Sequence, residues 1–169
     1  MAAMAVLTTQ RLVLREMTGA DLDQIAALFG DEEVMRYYPK PMTRDEAQSW
    51  IEWNLRLYRG HGFGLWAMAL RDTGEFAGDC GLTPQYVDGV KEIEVGYHVR
   101  PSLQGQGYAT EAAAAARDFA RDKLFLSRLI AIINPDNVPS QRVASKIGLS
   151  PEKRSTVFGH EQIIYAAAI

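Results

Sequence analysis

Between an alternating strand at Glu92–Val99 and a helix from Thr110 lies Arg100-Pro-Ser-Leu-Gln-Gly-Gln-Gly-Tyr-Ala-Thr110. No other segment limits the fold so tightly. The helix reads to Phe125, and the next apolar run, Arg128–Ile133, is β-branched. Strand, loop, helix and strand therefore form one βαβ unit with parallel strands. Gly105 and Gly107 let main-chain amides converge on an anion, and a helix N-terminus adds about half a positive charge. The loop suits a phosphate or pyrophosphate; a plain tight turn is the alternative.

The rest of the chain supplies the layers around that unit. Leu12–Leu14 reads as a short strand, and Ala20–Phe29 carries apolar residues at helical spacing with Thr18 or Asp21 as caps. Thr43-Arg-Asp-Glu46 is a capping box opening a helix to about Arg59. Phe63–Leu70 and Phe76–Leu82 are strands joined by an Asp72-Thr-Gly74 turn. In Glu92–Val99, Ile93, Val95, Tyr97 and Val99 share one face while Glu92, Glu94, Gly96 and His98 share the other. Pro139–Ile147 is a helix closed by Gly148, and Arg154–Phe158 and Gln162–Ala167 are the last strands. The expected architecture is a single α/β (α+β) domain over residues 1–169. Its sheet is mixed and mostly antiparallel, with one parallel pair.

Several functions are excluded by composition. A net charge of -3 lacks the basic excess of a dedicated nucleic-acid binder. The one cysteine, Cys80, forbids an internal disulfide and reads as a small buried hydrophobe; the three histidines are far apart, so no metal site is expected. No run approaches the ~20 apolar residues a membrane helix needs, and MAAMAVLTTQR lacks the pattern of an export signal. A cytoplasmic protein is the simplest expectation. A P-loop fails for want of Gly-Lys-Ser/Thr. A nicotinamide site fails because Thr110 stands where a third Gly belongs and the strand after the helix ends in Asn134-Pro135 rather than an acid.

Gln104-x-x-Gly107-x-Ala109 resembles the acyl-CoA pyrophosphate signature of the GNAT superfamily of N-acetyltransferases. Glu94-Val-Gly-Tyr97, Asn137-x-x-Ser140-x-x-Val143-x-x-Lys146-x-Gly148 and Leu7-Thr-Thr-Gln-Arg-Leu-Val-Leu-Arg15 are similar to its RimJ/RimL-type branch, which acetylates protein N-termini and other amines. The resemblance runs from Leu7 to the C-terminus. It implies that the parallel strands splay and that acetyl-CoA lies in the wedge, its pantetheine amides bonded by backbone near His98 and Val99. It also implies a pyrophosphate held by amides of Gln104, Gly105, Gln106, Gly107, Tyr108, Ala109 and Thr110. Asn137 would bond the pantetheine arm, although an Asn ahead of a helix is equally a turn residue.

Acyl transfer needs a neutral amine. At pH 7 a lysine amine costs about 4.6 kcal/mol to deprotonate, an α-amine only ~1.1. One carboxylate acting through water could therefore serve an α-amine. Glu94 is the candidate base, with Glu92 and His98 on the same face as alternatives. On the leaving-group side the residue seven after Asn137 is Ala144, so the tyrosine of many GNAT enzymes is absent. The branch's serine, Ser140, could hydrogen-bond the thiolate, or simply begin its helix. A main-chain N–H near Val99 would polarise the thioester carbonyl. Tyr37, Tyr38, Trp50, Trp53 and Tyr86 are candidate walls of an acceptor pocket, a minority of which should line it. The expected activity is acetyl transfer from acetyl-CoA to a primary amine by direct attack, on a protein N-terminus or a small molecule. Sheet-edge pairing could make a homodimer. The competing reading is a non-catalytic acyl-CoA-binding module.

Overall fold

The computed structural model describes residues 4–169. The extreme N-terminus, part of the stretch expected to carry no export signal, lies outside them. Among the described residues eight strands form one sheet in the order β1-β2-β3-β4-β5-β6-β8-β7. They are β1 (Ala5–Thr8), β2 (Leu12–Arg15), β3 (Leu65–Leu70), β4 (Phe76–Val87), β5 (Val90–Val99), β6 (Arg128–Ile133), β7 (Ser150–Val157) and β8 (His160–Ala168). The helices are α1 (Leu22–Phe29), α2 (Arg44–His61), α3 (Tyr108–Asp122) and α4 (Val138–Lys146). Among the described residues only β5 and β6 pair in parallel, as expected of the βαβ unit. None of the described helices is long and apolar enough to cross a membrane.

Both faces of the sheet are covered. On one, Ala112, Ala113, Ala116 and Ala120 of α3 are wholly buried with Val95, Val99, Leu129 and Ile147, the small side chains allowing close approach to the strands. On the other, Ile25, Leu28 and Phe29 of α1 pack with Ala47 and Ile51 of α2 over Leu65 and Ala67 of β3. The alternation along β5 is thereby realised. Val95 and Val99 point to α3, while Glu94, Gly96 and His98 lie on the α1/α2 side, where Leu65 and Phe29 meet them. Asn54 of α2 fixes this layer, accepting from Leu65 N–H at 2.8 Å and donating to Trp50 O at 3.0 Å.

The structure differs from the sequence reading at several boundaries, β7 for one starting at Ser150 rather than Arg154, and the main differences have local reasons. The first strand of the sheet, β1, is missing from that reading because it is a four-residue edge strand, too short to show an alternation and with none of its residues fully buried. Strands β4 and β5 run on to a two-residue turn at Asp88-Gly89, both with positive φ (50° and 79°), instead of ending at Leu82 and starting at Glu92. Pro84 hid this extension, yet β3 accompanies β4 only as far as Gly81. Beyond it β4 is open on that side, where a missing N–H costs nothing. Finally, α3 starts at Tyr108 rather than Thr110 and ends at Asp122 rather than Phe125, which sits at φ 55°. Both capping expectations hold: Thr43 closes its box with Glu46, and Thr18 caps the short turn ahead of α1.

Gly81 shows how tightly β3 and β4 are pressed. A Cβ there would lie 2.1 Å from Gly64 O and 2.8 Å from Leu65 Cα, both main chain. Gly81→Ala is expected to cost about 3 kcal/mol, read as a lowered urea midpoint at unchanged m. An unaltered midpoint would mean that this approach is looser than described.

Candidate active site

β5 and β6 meet at one register point, Glu94 opposite Ile130, and then part. In an antiparallel ladder hydrogen-bonded and free positions alternate. Arg100 N–H donates to Ala77 O of β4. His98, two residues back, therefore also turns its main chain to β4, and Tyr97 and Val99 turn theirs to the gap. The expected backbone contribution thus shifts from His98 to Tyr97, and His98 enters the site through its side chain. Val99 O already accepts from Gln104 Nε2 at 2.9 Å, so that side chain props the strand instead of reaching a ligand.

Glu94 stands in the throat of the gap. Its Oε2 accepts from Ile132 N–H at 3.2 Å, and Oε1 from Thr83 Oγ1 at 3.3 Å and Gln85 Nε2 at 3.4 Å. Burial raises its carboxyl to about 7, more than these donors and nearby His98 lower it. Glu92 is engaged elsewhere, accepting from Arg128 at 2.8–3.1 Å in a surface pair shared with Glu152. That leaves Glu92 no part in the gap.

The glycine loop opens onto the same cavity, of about 1270 Å³. Gly105 and Gly107 have φ +76° and +85°. Gly107 is the N-cap of α3 and brings no capping side chain, so the first-turn amides stay exposed. Gln104 N–H donates to Pro101 O and Glu111 N–H to Gly107 O. Among the described residues no protein acceptor takes the N–H of Gly107, Tyr108, Ala109 or Thr110. All four line the cavity, as do Gln104 and Gly105; Gln106 does not, its carbonyl accepting from Arg11 Nη1 at 2.9 Å. Arg11 also pairs with Glu111 at 2.8 Å and covers the Tyr108 ring at 4.3 Å, bracing the loop from behind. Burial raises the Glu111 carboxyl, but bonds from Thr9 and Arg11 outweigh it and hold the group below its ordinary value. Sequence reading missed this brace, whose partners lie about a hundred residues apart.

On the far wall Asn137 caps α4, its Oδ1 accepting from Ser140 N–H at 3.2 Å. Ser140 Oγ donates to Tyr97 Oη at 3.1 Å, and Tyr97 Oη donates to Ser140 O at 2.8 Å. Asn137, Ser140 and Tyr97 all line the cavity. The hydroxyl expected to face a thiolate therefore has a tyrosine as its present partner, and Tyr97 was not foreseen.

Opposite the loop, Tyr37, Tyr38, Trp50 and Trp53 line the cavity, and Tyr86 does not, standing exposed on the other side. More of these aromatics reach the site than expected. Among them is an unforeseen polar chain. Asp79 of β4, fully buried, meets His98 Nδ1 at 2.7 Å, and His98 Nε2 meets Tyr38 Oη at 2.8 Å. Cys80 is buried and burial pushes its thiol up, as suits packing.

A family model described as an acetyltransferase (GNAT) domain matches residues 11–150. The uncharacterized protein YkkB of Bacillus subtilis is 37% identical over 154 residues, covering 90% of each chain. The uncharacterized N-acetyltransferase YnaD of the same species is 31% identical over 147 residues, 86% of this chain and 83% of its own. An acetyltransferase structure from Agrobacterium tumefaciens has TM-score 0.84 at 26% identity, covering 100% of this chain and 97% of that one. Mycobacterium smegmatis RimJ in complex with CoA-disulfide shares the fold at TM-score 0.74 and 23% identity, covering 93% of this chain and 81% of its own.

Proposed function

This chain belongs to the GNAT acetyltransferase family and is an acetyl-CoA-dependent acetyltransferase; on that premise we propose that it acetylates a primary amine by direct attack in a ternary complex. The amine is that of a protein N-terminus or of a small molecule. The observation that carries this reading is the row of open N–H groups from Gly107 to Thr110 on the same cavity as a carboxyl poised near neutrality.

The diphosphate of acetyl-CoA fits the N–H groups around Gly105–Thr110, at the positive end of α3. Its pantetheine arm fits the gap, alongside the main chain of Tyr97 and the N–H of Val99. The thioester carbonyl then lies by the free N–H edge of β5, which polarises it. Glu94 takes the amine's proton through water. A carboxylate near 7 is well matched to an α-amine near ~7.8, the difference being about 1 kcal/mol. Ser140 turns its hydroxyl from Tyr97 to the departing thiolate, which with a pKa near ~8.5 needs only a hydrogen bond.

A thiol-release assay with acetyl-CoA against N-terminal peptides, polyamines, amino acids and aminoglycosides tests the reading; thiol released only when an amine is present supports it. A protein that binds acetyl-CoA yet turns over none of them would be the non-catalytic module instead. Ser140→Ala is expected to lower kcat about tenfold while leaving acetyl-CoA affinity within twofold. Unchanged kcat would remove Ser140 from the chemistry.

A further inference from the structure

We propose that the site contains a second proton acceptor, His98, held in its reactive tautomer by buried Asp79 and touching the nitrogen of the acceptor amine. The inference goes beyond the role given to Glu94 and rests on the reading of direct amine attack.

The geometry fixes the tautomer. Asp79 and His98 are cross-strand partners in the β4–β5 ladder. Asp79 Oδ2 accepts from Trp50 Nε1 at 3.4 Å, and an indole N–H only donates. Asp79 Oδ1 accepts from His98 Nδ1 at 2.7 Å. A carboxylate only accepts, so the neutral ring carries its proton on Nδ1, and in that form Nε2 holds the lone pair to which Tyr38 Oη donates at 2.8 Å. Phe29 holds the ring edge-on at 4.9 Å, and the side chain is 12% exposed, on the cavity. The groups facing it are Asp79 from β4, Glu94 from β5, Phe29 from α1, Trp50 from α2 behind Asp79, and Tyr38 from the segment before α2.

Proton bookkeeping supplies the task. An amine arrives as R–NH₃⁺ and leaves as R–NH–CO–CH₃, so its nitrogen gives up two protons. Glu94 takes the first. The freed lone pair forms the N–C bond, and the carbonyl π pair moves onto oxygen. The nitrogen is now cationic, and His98 Nε2 takes its second proton. The C=O bond re-forms as the C–S bond breaks, the electron pair leaving with sulfur. The imidazolium then returns its proton to the thiolate or, by way of Tyr38, to solvent. The acceptor's N–H replaces the Tyr38 hydroxyl on Nε2. Asp79 is a positioning residue that acts through His98.

The test compares wild type, His98→Gln, Asp79→Asn and Glu94→Gln with acetyl-CoA and two acceptors, 2-phenylethylamine and an alanine-initiated tetrapeptide. ¹⁵N NMR of the wild-type imidazole is recorded alongside. His98→Gln is expected to lose about 10²- to 10⁴-fold in kcat, with acetyl-CoA affinity within twofold. Its deficit should be the same at pH 7 and pH 9, whereas the Glu94→Gln deficit should shrink as the amine deprotonates in solution. The spectrum should show Nδ1 protonated and Nε2 accepting, and Asp79→Asn should abolish that preference and lower kcat. Retention of half the wild-type kcat by His98→Gln, a His98→Gln deficit that disappears at pH 9, or a proton on Nε2 would each overturn the proposal. Turnover of neither amine by wild type would count against amine transfer itself, and the tautomer would still decide the fate of His98.

Discussion

Glu94→Gln should lower kcat/KM for an alkyl primary amine of pKa ~10, whose free fraction at pH 7 is about 10⁻³, by about 10²- to 10³-fold at pH 7, the range removal of a positioned base produces. The sign of its pH dependence follows from burial. The carboxyl is raised to about 7 and works only when deprotonated, so wild-type kcat/KM should climb tenfold per unit up to about pH 7 and then flatten. The variant has no such group. Its rate should follow the free-amine fraction in solution, rising tenfold per unit to the acceptor's own pKa, so the two profiles converge in alkali. Parallel profiles would show that Glu94 merely holds Ile132 N–H and steadies the throat of the gap.

Gly107→Val should raise the dissociation constant for coenzyme A at least about 30-fold. At φ +85° a β-branched residue is a steric outlier, and its Cβ would lie 3.3 Å from Arg11 Nη2. The new side chain would point toward the brace behind the loop, not toward the ligand. Relief of strain must therefore come from turning the Gly107 and Tyr108 peptides, the groups that present the open N–H row. Losing roughly 2 kcal/mol of the anion's bonds corresponds to that factor. Titration calorimetry measures it, and a thermal midpoint within a few degrees of wild type shows that the fold persists. An unchanged affinity would mean the loop binds nothing through its amides.

What sequence could reveal of the fold and site was whatever is encoded locally. The glycine pair is legible because φ values of +76° and +85° demand glycine wherever the fold bends there. The alternation that puts Glu94 and His98 on one face is legible because a strand's period is two. The partners of those side chains were not, because register and long-range contact set them. Asp79 reaches His98 through a hairpin whose extent Pro84 concealed. Tyr97 meets Ser140 only once α4 has folded back over β5. Arg11 reaches Gln106 and Glu111 from about a hundred residues away in the chain. Glu92 and Glu94 look alike in sequence, and what separates them is Arg128 outside the gap and Ile132 within it.

Acetyl-CoA binding depends on the peptide nitrogens at the start of α3 receiving the diphosphate of coenzyme A. Two-dimensional ¹H–¹⁵N spectra of the labelled protein, recorded as coenzyme A is added, read those nitrogens individually. Saturating shifts largest at Gly105, Gly107, Tyr108, Ala109 and Thr110, with smaller ones along Tyr97–Val99, are predicted. Binding that leaves the Gly107–Thr110 amides unmoved would contradict that dependence.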